Sequence, residues 1–117
     1  MKKETAHSRK RLSQALLEEI NSALRNELAD PKIQFVTVTG VELNKDNSVA
    51  HVHWDTFRTE EVETIKVNLD TVTPRLRTLL AKKLQMRHTP ELRLVYNSQF
   101  EDALKIDRLL KENNDDT

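Results

Sequence analysis

Residues 33–57 read IQFVTVTGVELNKDNSVAHVHWDTF and predict a β-hairpin. The first part, Ile33 to Leu43, is rich in Val, Thr and Phe, which favours a strand, and Gly40 within it predicts a bulge. Residues 44–48 are turn formers. In the second part, Val49 to Phe57, apolar and polar side chains alternate as in a strand with one buried face. Two strands joined by so short a turn pair in antiparallel fashion.

The segment before the hairpin predicts a helix. Its apolar residues are spaced at steps of three and four, and they are Leu12, Leu16, Ile20, Ala23, Leu24 and Leu28. Ser8 is a suitable N-cap, so we expect the helix to run from Ser8 to about Leu28. Asp30-Pro31 ends it, because the residue before a proline avoids helical dihedral angles.

After the hairpin, the sequence predicts two helices that meet at a corner. The second helix is marked by Val62, Ile65, Leu69 and Val72, and the third by Leu76, Leu79, Leu80 and Leu84. Between them, Thr73 is a natural N-cap and Pro74 is favoured at the first helical position. We therefore expect the chain to turn sharply at Thr73-Pro74 without a loop.

A third strand and a last helix complete the predicted domain. The strand alternates Leu92, Leu94 and Tyr96 with Arg93 and Val95, and the helix begins near Ser98. The order α-β-β-α-α-β-α predicts an α+β fold, in which a three-stranded mixed sheet has its helices packed on one face. Residues 1–112 form one domain in this interpretation, and residues 113–117 form a frayed acidic tail.

Composition excludes several classes of function. The absence of cysteine excludes disulfides and thiolate metal sites, and it is compatible with a cytoplasmic location. Gly40 is the only glycine, which excludes a glycine-rich phosphate loop and a dinucleotide-binding fingerprint. No apolar run approaches the roughly 20 residues of a membrane span, and residues 1–5 do not begin a signal peptide. We therefore expect a soluble protein.

The charges are segregated along the chain, although the formal net charge is zero. Basic residues gather in residues 2–11 and 75–93, whereas acidic residues gather in 60–63 and 112–116. This distribution indicates a molecule with a basic side and an acidic side. The alternative is that these blocks mix in space.

One group of residues could hold a metal ion. His51, His53 and Asp55 alternate along the second strand, and side chains at this spacing share a face and could bind zinc. However, Thr56 rather than a further histidine follows Asp55, and the chain is small for the layered scaffold of a metallo-hydrolase. A polar, half-exposed strand face is the favoured interpretation. We expect no metal, no other cofactor and no catalysis.

The predicted corner is the candidate binding site. A helix start presents free backbone amides and the positive end of its dipole, and both attract phosphate. Arg75 and Arg77 lie in the first turn, and Lys82, Lys83 and Arg87 follow. The helical period directs Arg75, Lys82 and Lys83 away from the core. This basic face favours the binding of RNA phosphates, and its alternative is an ordinary solvated helix face. Aromatic residues are few, so folded RNA fits better than stacked single-stranded bases.

Two groups of short motifs, in order and at the right spacing, relate the chain to a known family. The first is Asp30-Pro31-Lys32-Ile33 with residues 36–43 (VTVTGVEL), then Asp46 and Ala50. The second is residues 76–81 (LRTLLA) running to Met86-Arg87, followed by Pro90-Glu91-Leu92. With these motifs the chain resembles the ribosome-binding factor A proteins of bacteria, almost from end to end.

The resemblance implies a KH-like fold of the second type, in which two helices flank an interrupted corner in place of the usual Gly-x-x-G loop. Proteins of this family bind the free small ribosomal subunit, assist late maturation of its ribosomal RNA, including 5′-end processing, and matter most in the cold. The implied partners are the small subunit and its ribosomal RNA, with no membrane, small-molecule substrate or cofactor, and we expect a monomer. The alternative is a KH-like adaptor whose acidic side recruits a protein partner, with RNA contact incidental.

The expected RNA contact combines the start of the first helix, the corner and the third helix. It comprises Arg9, Lys10, Arg11, Lys32, Thr73, Pro74, Arg75, Arg77, Lys82, Lys83 and Arg87. Of these, Arg11, Lys32, Arg77 and Arg87 match basic positions of the family. Two positions depart from the family pattern: Val72-Thr73-Pro74 stands where Ala-x-Gly is common, and Asn97 stands where Asp is usual.

Overall fold

The computed structural model describes residues 6–28 and 30–98. Its elements are α1 (Ala6–Asn26), a 3-10 turn (Pro31–Ile33), β1 (Thr37–Leu43), β2 (Val49–Asp55), a second 3-10 turn (Thr59–Glu61), α2 (Val62–Lys83) and β3 (Glu91–Tyr96). The middle strand, β2, is antiparallel to β1 and parallel to β3. The predicted three-stranded mixed sheet is therefore confirmed. The last helix predicted beyond Ser98 and the tail at 113–117 lie outside the described residues.

The hairpin between β1 and β2 has the predicted bulge. Leu43 pairs with Ala50 and Val38 pairs with Trp54, but the register shifts between Val38 and Gly40. An inserted residue of this kind bends the strand and increases its twist. The bulge lets the sheet curve over the helices while both ends of the hairpin keep their apolar residues on the same face.

The strands are shorter than predicted at the open end of this hairpin. β1 begins at Thr37, whereas Ile33 lies in a 3-10 turn that Asp30 caps by accepting a hydrogen bond from the backbone N of Lys32 at 2.9 Å. The predicted start at Ile33 is wrong because this local cap competes with strand pairing. β2 stops before the predicted Phe57, because backbone amides beyond its end bond to side chains of neighbouring residues.

One face of the sheet packs against both helices, and this contact forms the core. In β2, the alternate residues Ala50, Val52 and Trp54 are buried, as their pattern predicts. The helices contribute the buried residues Leu16, Ile20, Ala23, Leu24, Val62, Ile65, Leu69, Val72, Leu76 and Leu80. Each large aliphatic side chain in such a position stabilises the fold by roughly 1.5–3 kcal/mol.

The first helix differs from its prediction at both ends. It is already formed at Ala6, so Ser8 lies within the helix and the predicted N-cap is wrong. Ala6 is a strong helix former, and the helix extends past the polar residue that could have capped it. At the other end, the backbone N atoms of Glu27 and Leu28 both donate to the carbonyl of Ala23 at 2.9 Å, which closes the last turn. No helix among the described residues is both long and apolar enough to span a membrane.

The predicted corner at Thr73-Pro74 is wrong, because α2 is one helix with Pro74 inside it. The buried stripe continues across the proline at steps of three and four residues, so both halves of the helix pack into the same core. A proline removes one helical hydrogen bond at a cost of about 3 kcal/mol. Threonine hydroxyls donate to carbonyls nearby: Thr71 Oγ1 to Val67 O at 3.1 Å and Thr73 Oγ1 to Leu69 O at 2.7 Å. Packing of the stripe outweighs the local preference for a break.

Candidate nucleic-acid interface

The second half of α2 and the loop that follows it enclose an open cleft of about 560 Å³. The cleft is lined by Pro74, Arg77, Thr78, Ala81, Arg87, His88 and Thr89. The lining combines small residues of the helix with two arginines and a histidine. The cleft coincides with the predicted basic region.

The loop folds back beside α2 because of how the helix ends. The backbone N of Met86 donates to the carbonyl of Ala81 at 3.1 Å, and the backbone N of Gln85 donates to the carbonyl of Lys82 at 3.4 Å. Gln85 has φ of 51°, so this is a Schellman ending with glutamine in the left-handed position that glycine usually takes. The reversal brings Arg87 to the cleft.

Arg77 fixes the far side of the loop. Its Nε donates to the carbonyl of Pro90 at 2.9 Å, and its Nη2 donates to the carbonyl of Thr89 at 2.7 Å. Pro90 is buried, so this fork attaches the start of β3 to α2. The charge of Arg77 stays at the cleft, because the carbonyls that accept its hydrogen bonds do not neutralise it.

A second depression, of about 270 Å³, lies next to the cleft and is lined by Glu27, Arg75, Thr78 and Leu79. Thr78 lines both cavities, so Arg75 borders a depression that adjoins the cleft of Arg77 and Arg87. Lys82 is exposed on the same half of α2. The structure therefore brings Arg75, Arg77 and Arg87 together around one uncharged position of the helix.

Lys83 is exposed, as predicted, but its charge is paired with a carboxylate. Its Nζ lies 3.2 Å from Glu27 Oε1, just beyond the end of α1, in an ion pair with both side chains partly exposed. The sequence does not predict this pair, because Glu27 is far from Lys83 along the chain and comes near it only when α1 packs on α2. An exposed pair of this kind adds at most about 1 kcal/mol, but it compensates the lysine charge.

The other predicted basic residues lie elsewhere. Arg9, Lys10 and Arg11 are on α1, 16 to 18 positions before Glu27, so the rise of an α-helix separates them from that residue by about 25 Å. They do not line the cleft and would reach a different part of a large ligand. Lys32 is exposed on the 3-10 turn before β1, and this turn packs on α2.

Thr73 and Pro74 cannot act as predicted, through free amides at a helix start. Amides within a helix are already used by carbonyls four residues earlier, and the Thr73 hydroxyl donates to Leu69 O. Pro74 takes part only as an uncharged wall of the cleft. His88 and Thr89 line the cleft and were missed, since the Schellman ending at Gln85 that places them has no glycine signal in the sequence.

The structure does not support the alternative of a zinc site. Among residues 6–28 and 30–98, no group of three or more His, Asp or Glu side chains could hold a metal ion. His53 Nε2 lies 2.7 Å from Glu42 Oε1 on the neighbouring strand. Asp55 is 1% exposed, in contrast with the half-exposed strand face that was predicted to include it, and its Oδ1 accepts the backbone N of Thr56 at 2.7 Å.

Comparison with known proteins gives consistent matches. The family model described as "Ribosome-binding factor A" matches residues 8–110. A protein of that name from Shewanella frigidimarina is 35% identical over 115 residues, which cover 96% of this chain and 79% of the relative. The relative from Shewanella sp. (strain ANA-3) is also 35% identical over 115 residues, covering 96% of this chain and 77% of its own length.

Solved structures agree. The crystal structure of ribosome-binding factor A from Thermus thermophilus has a TM-score of 0.68 at 31% identity, covering 75% of this chain and 94% of that one. The solution structure of a Thermotoga maritima protein called a putative ribosome binding factor A has a TM-score of 0.65 at 31% identity, covering 80% and 91%. A Thermus thermophilus homology model fitted into an electron-microscopy map of a 30S complex has a TM-score of 0.57 at 36% identity, covering 79% and 93%.

These neighbours have a KH-like fold, which confirms the predicted fold class. The family model matches residues 8–110, and a member is 35% identical over 96% of the chain. The chain belongs to the ribosome-binding factor A family.

Proposed function

We propose that this chain binds the small ribosomal subunit through phosphates of its ribosomal RNA, and that the second half of α2 with its cleft is the contact surface. The observation that supports this most directly is the placement of Arg75, Arg77 and Arg87 around Thr78. Phosphate contacts from arginine, lysine and hydroxyl groups position a protein on RNA without reading its sequence.

The charge balance of this surface favours a polyanion. Between Pro74 and Pro90 the chain has five cationic residues and no carboxylate. Among the described residues only Lys83 of these five is in an ion pair, with Glu27. Arginine is suited to the task because its planar fork matches two phosphate oxygens, and a cleft with walls of low dielectric constant concentrates the positive potential.

The relatives support the choice of partner. A ribosome binding factor A from Thermus thermophilus has been fitted into a map of its complex with the 30S subunit. We extend that partner to this chain, together with a role in late maturation of the subunit's ribosomal RNA, including its 5′-end processing, in the cytoplasm and chiefly in the cold. The protein would act by binding, because a ligand with different affinities for two RNA conformations shifts their populations without catalysis.

Removing charge from the surface tests the proposal. Arg75→Ala with Arg87→Ala removes two cations that make no hydrogen bond or ion pair among the described residues, whereas Arg77 is left in place because it anchors the loop. We expect this double variant to fold normally and to co-sediment with free small subunits about tenfold less, because fewer counterions are released when two phosphate contacts are lost.

The matched control removes two cations from other surfaces. Lys45 lies in the β1–β2 turn and Lys66 in the first half of α2, and both are exposed. The variant Lys45→Ala with Lys66→Ala has the same net charge as the test variant and should bind almost as well as the unchanged chain. Equal loss in both variants would show that only overall charge matters and would contradict the proposed surface.

A further inference from the structure

An exposed aromatic cluster stands at the opposite end of α2 from the basic surface. Phe57 follows β2 and is 59% exposed. Its ring meets the ring of Phe35, which precedes β1, in an edge-to-face contact with centroids 5.2 Å apart and planes at 80°. Because Thr37 pairs with Asp55, residues 35 and 57 extend the hairpin at its open end.

The cluster is held in place by its surroundings. The guanidinium of Arg58 lies over the Phe35 ring at 4.0 Å, and its Nη1 is 3.0 Å from Glu61 Oε2. The backbone N of Arg58 donates to Thr56 Oγ1 at 3.1 Å, which fixes the turn after β2. A single exposed phenylalanine is ordinary, but a fixed phenylalanine beside a stacked arginine has the composition of an interface anchor, and pre-ordering reduces the entropy lost on binding.

Charge indicates what kind of partner fits. Glu60, Glu61 and Glu63 follow the cluster directly, and their neighbours Arg58 and Lys66 neutralise only Glu61 and Glu63. Glu60 is exposed and belongs to none of the ion pairs found in residues 6–28 and 30–98. Three carboxylates against two cations leave this group with a net negative charge, which repels the phosphates of RNA and attracts lysine and arginine.

We propose that Phe57, Phe35 and Arg58, with the three glutamates, form a docking surface for a basic protein segment that inserts an apolar side chain beside Phe57. A segment of this chemistry is expected of a protein that itself lies on RNA. The surface is separate from the proposed ribosomal RNA contact: Glu61 and Pro74 are 13 positions apart along α2, or about 20 Å. The chain could therefore hold RNA at one end of the helix and a protein at the other.

The test uses the full chain, isotope-labelled for NMR, and a short synthetic peptide of lysines around a central Trp-Leu pair. We expect the peptide to shift the amide signals of residues 34–36 and 56–61. A peptide with glutamate for lysine, one with serine for the Trp-Leu pair, and a single-stranded RNA oligonucleotide should leave these signals in place. Shifts caused by the RNA but not by the basic peptide would overturn the proposal in favour of base stacking.

Variants separate the apolar and the charged contributions. Phe57→Ser should lower the peptide affinity about tenfold or more, as expected for a central anchor, and Glu60→Lys should lower it by a smaller factor. The matched control is Val67→Ser, which also removes a large exposed apolar side chain, 65% exposed, from α2. It should leave the affinity unchanged. No shift at residues 56–61, or equal losses in Phe57→Ser and Val67→Ser, would refute the docking surface.

Discussion

The two halves of α2, before and after Pro74, have the same interior and opposite exteriors. Toward the core they present one stripe, with Ile65 and Leu69 in the first half and Leu76 and Leu80 in the second, each at most 3% exposed. Toward solvent the first half begins among glutamates, whereas the second half exposes arginines and lysines. Burial of the stripe therefore fixes the position of the helix. The solvent-facing side of the same helix is left available for two kinds of partner, which we propose are RNA and a basic protein segment.

The largest expected effect tests whether the interiors are equivalent. Leu69 and Leu76 lie on either side of the proline and are 2% and 1% exposed. We expect Leu69→Ala and Leu76→Ala each to lower the free energy of unfolding by about 2–5 kcal/mol, through lost burial and the cavity left behind. Denaturant unfolding measures both. A much smaller loss for Leu76→Ala would mean that the two halves do not form one packed helix.

Replacing the proline sharpens the comparison further. In the interior of a continuous helix, Pro74→Ala restores a backbone donor, and we expect it to raise the free energy of unfolding by about 1–3 kcal/mol. At the first position of a separate helix, where proline is favoured, the same change would be neutral or destabilising. Urea unfolding distinguishes the two outcomes through the midpoint of the transition, provided that the dependence of the free energy of unfolding on urea concentration is unchanged.

Much of the fold follows from local patterns, and the exception at Pro74 shows their limit. The alternation in β2 predicts its buried face because strand side chains simply alternate, and Gly40 marks the bulge. Thr73-Pro74 has the chemistry of a helix start, yet it lies inside α2. Local rules recognise the capping preference of Thr73-Pro74, but they cannot compare it with the stabilisation from burying the apolar stripe. That stabilisation exists only when the sheet and α1 pack on the stripe.

The candidate site was predictable in composition but not in arrangement. The run from Arg75 to Arg87 identifies the basic half of α2. The pairing of Lys83 with Glu27 joins residues far apart in sequence, and no local pattern reveals it. Similarly, Gln85 adopts a left-handed conformation without being glycine, so the loop reversal that makes the cleft has no signal.

Arg77 gives a smaller effect, because it serves the fold as well as the surface. We expect Arg77→Ala to lower the free energy of unfolding by about 1–3 kcal/mol, since the carbonyls of Thr89 and Pro90 lose a charged donor. Amide exchange near residues 89–92 should become faster. Arg75→Ala, the matched control, should change stability by less than about 0.5 kcal/mol. Equal effects would show that the fork does not anchor the loop.

The smallest effect is electrostatic. The pKa of Glu91 lies below its ordinary value of 4.5, chiefly because of the hydrogen bond and charge of Arg93, with smaller contributions from Arg77 and His51. A lowered carboxyl pKa stabilises the fold above that ordinary value, and this stabilisation is lost as the pH falls through the folded-state pKa. In Arg77→Ala we expect a carboxyl NMR titration to show the pKa of Glu91 slightly higher but still lowered by Arg93. Arg75→Ala should leave this pKa unchanged.

The salt dependence of binding to free small subunits tests the central claim most directly. If about five phosphates are contacted, the logarithm of the affinity should fall with the logarithm of salt concentration at a slope of about −3.5 to −4.5. The Arg75→Ala and Arg87→Ala double variant should reduce the magnitude of that slope by about 1.4–1.8, and the Lys45→Ala and Lys66→Ala variant should not. A slope near zero, or the same slope in all three proteins, would contradict phosphate binding by the basic half of α2.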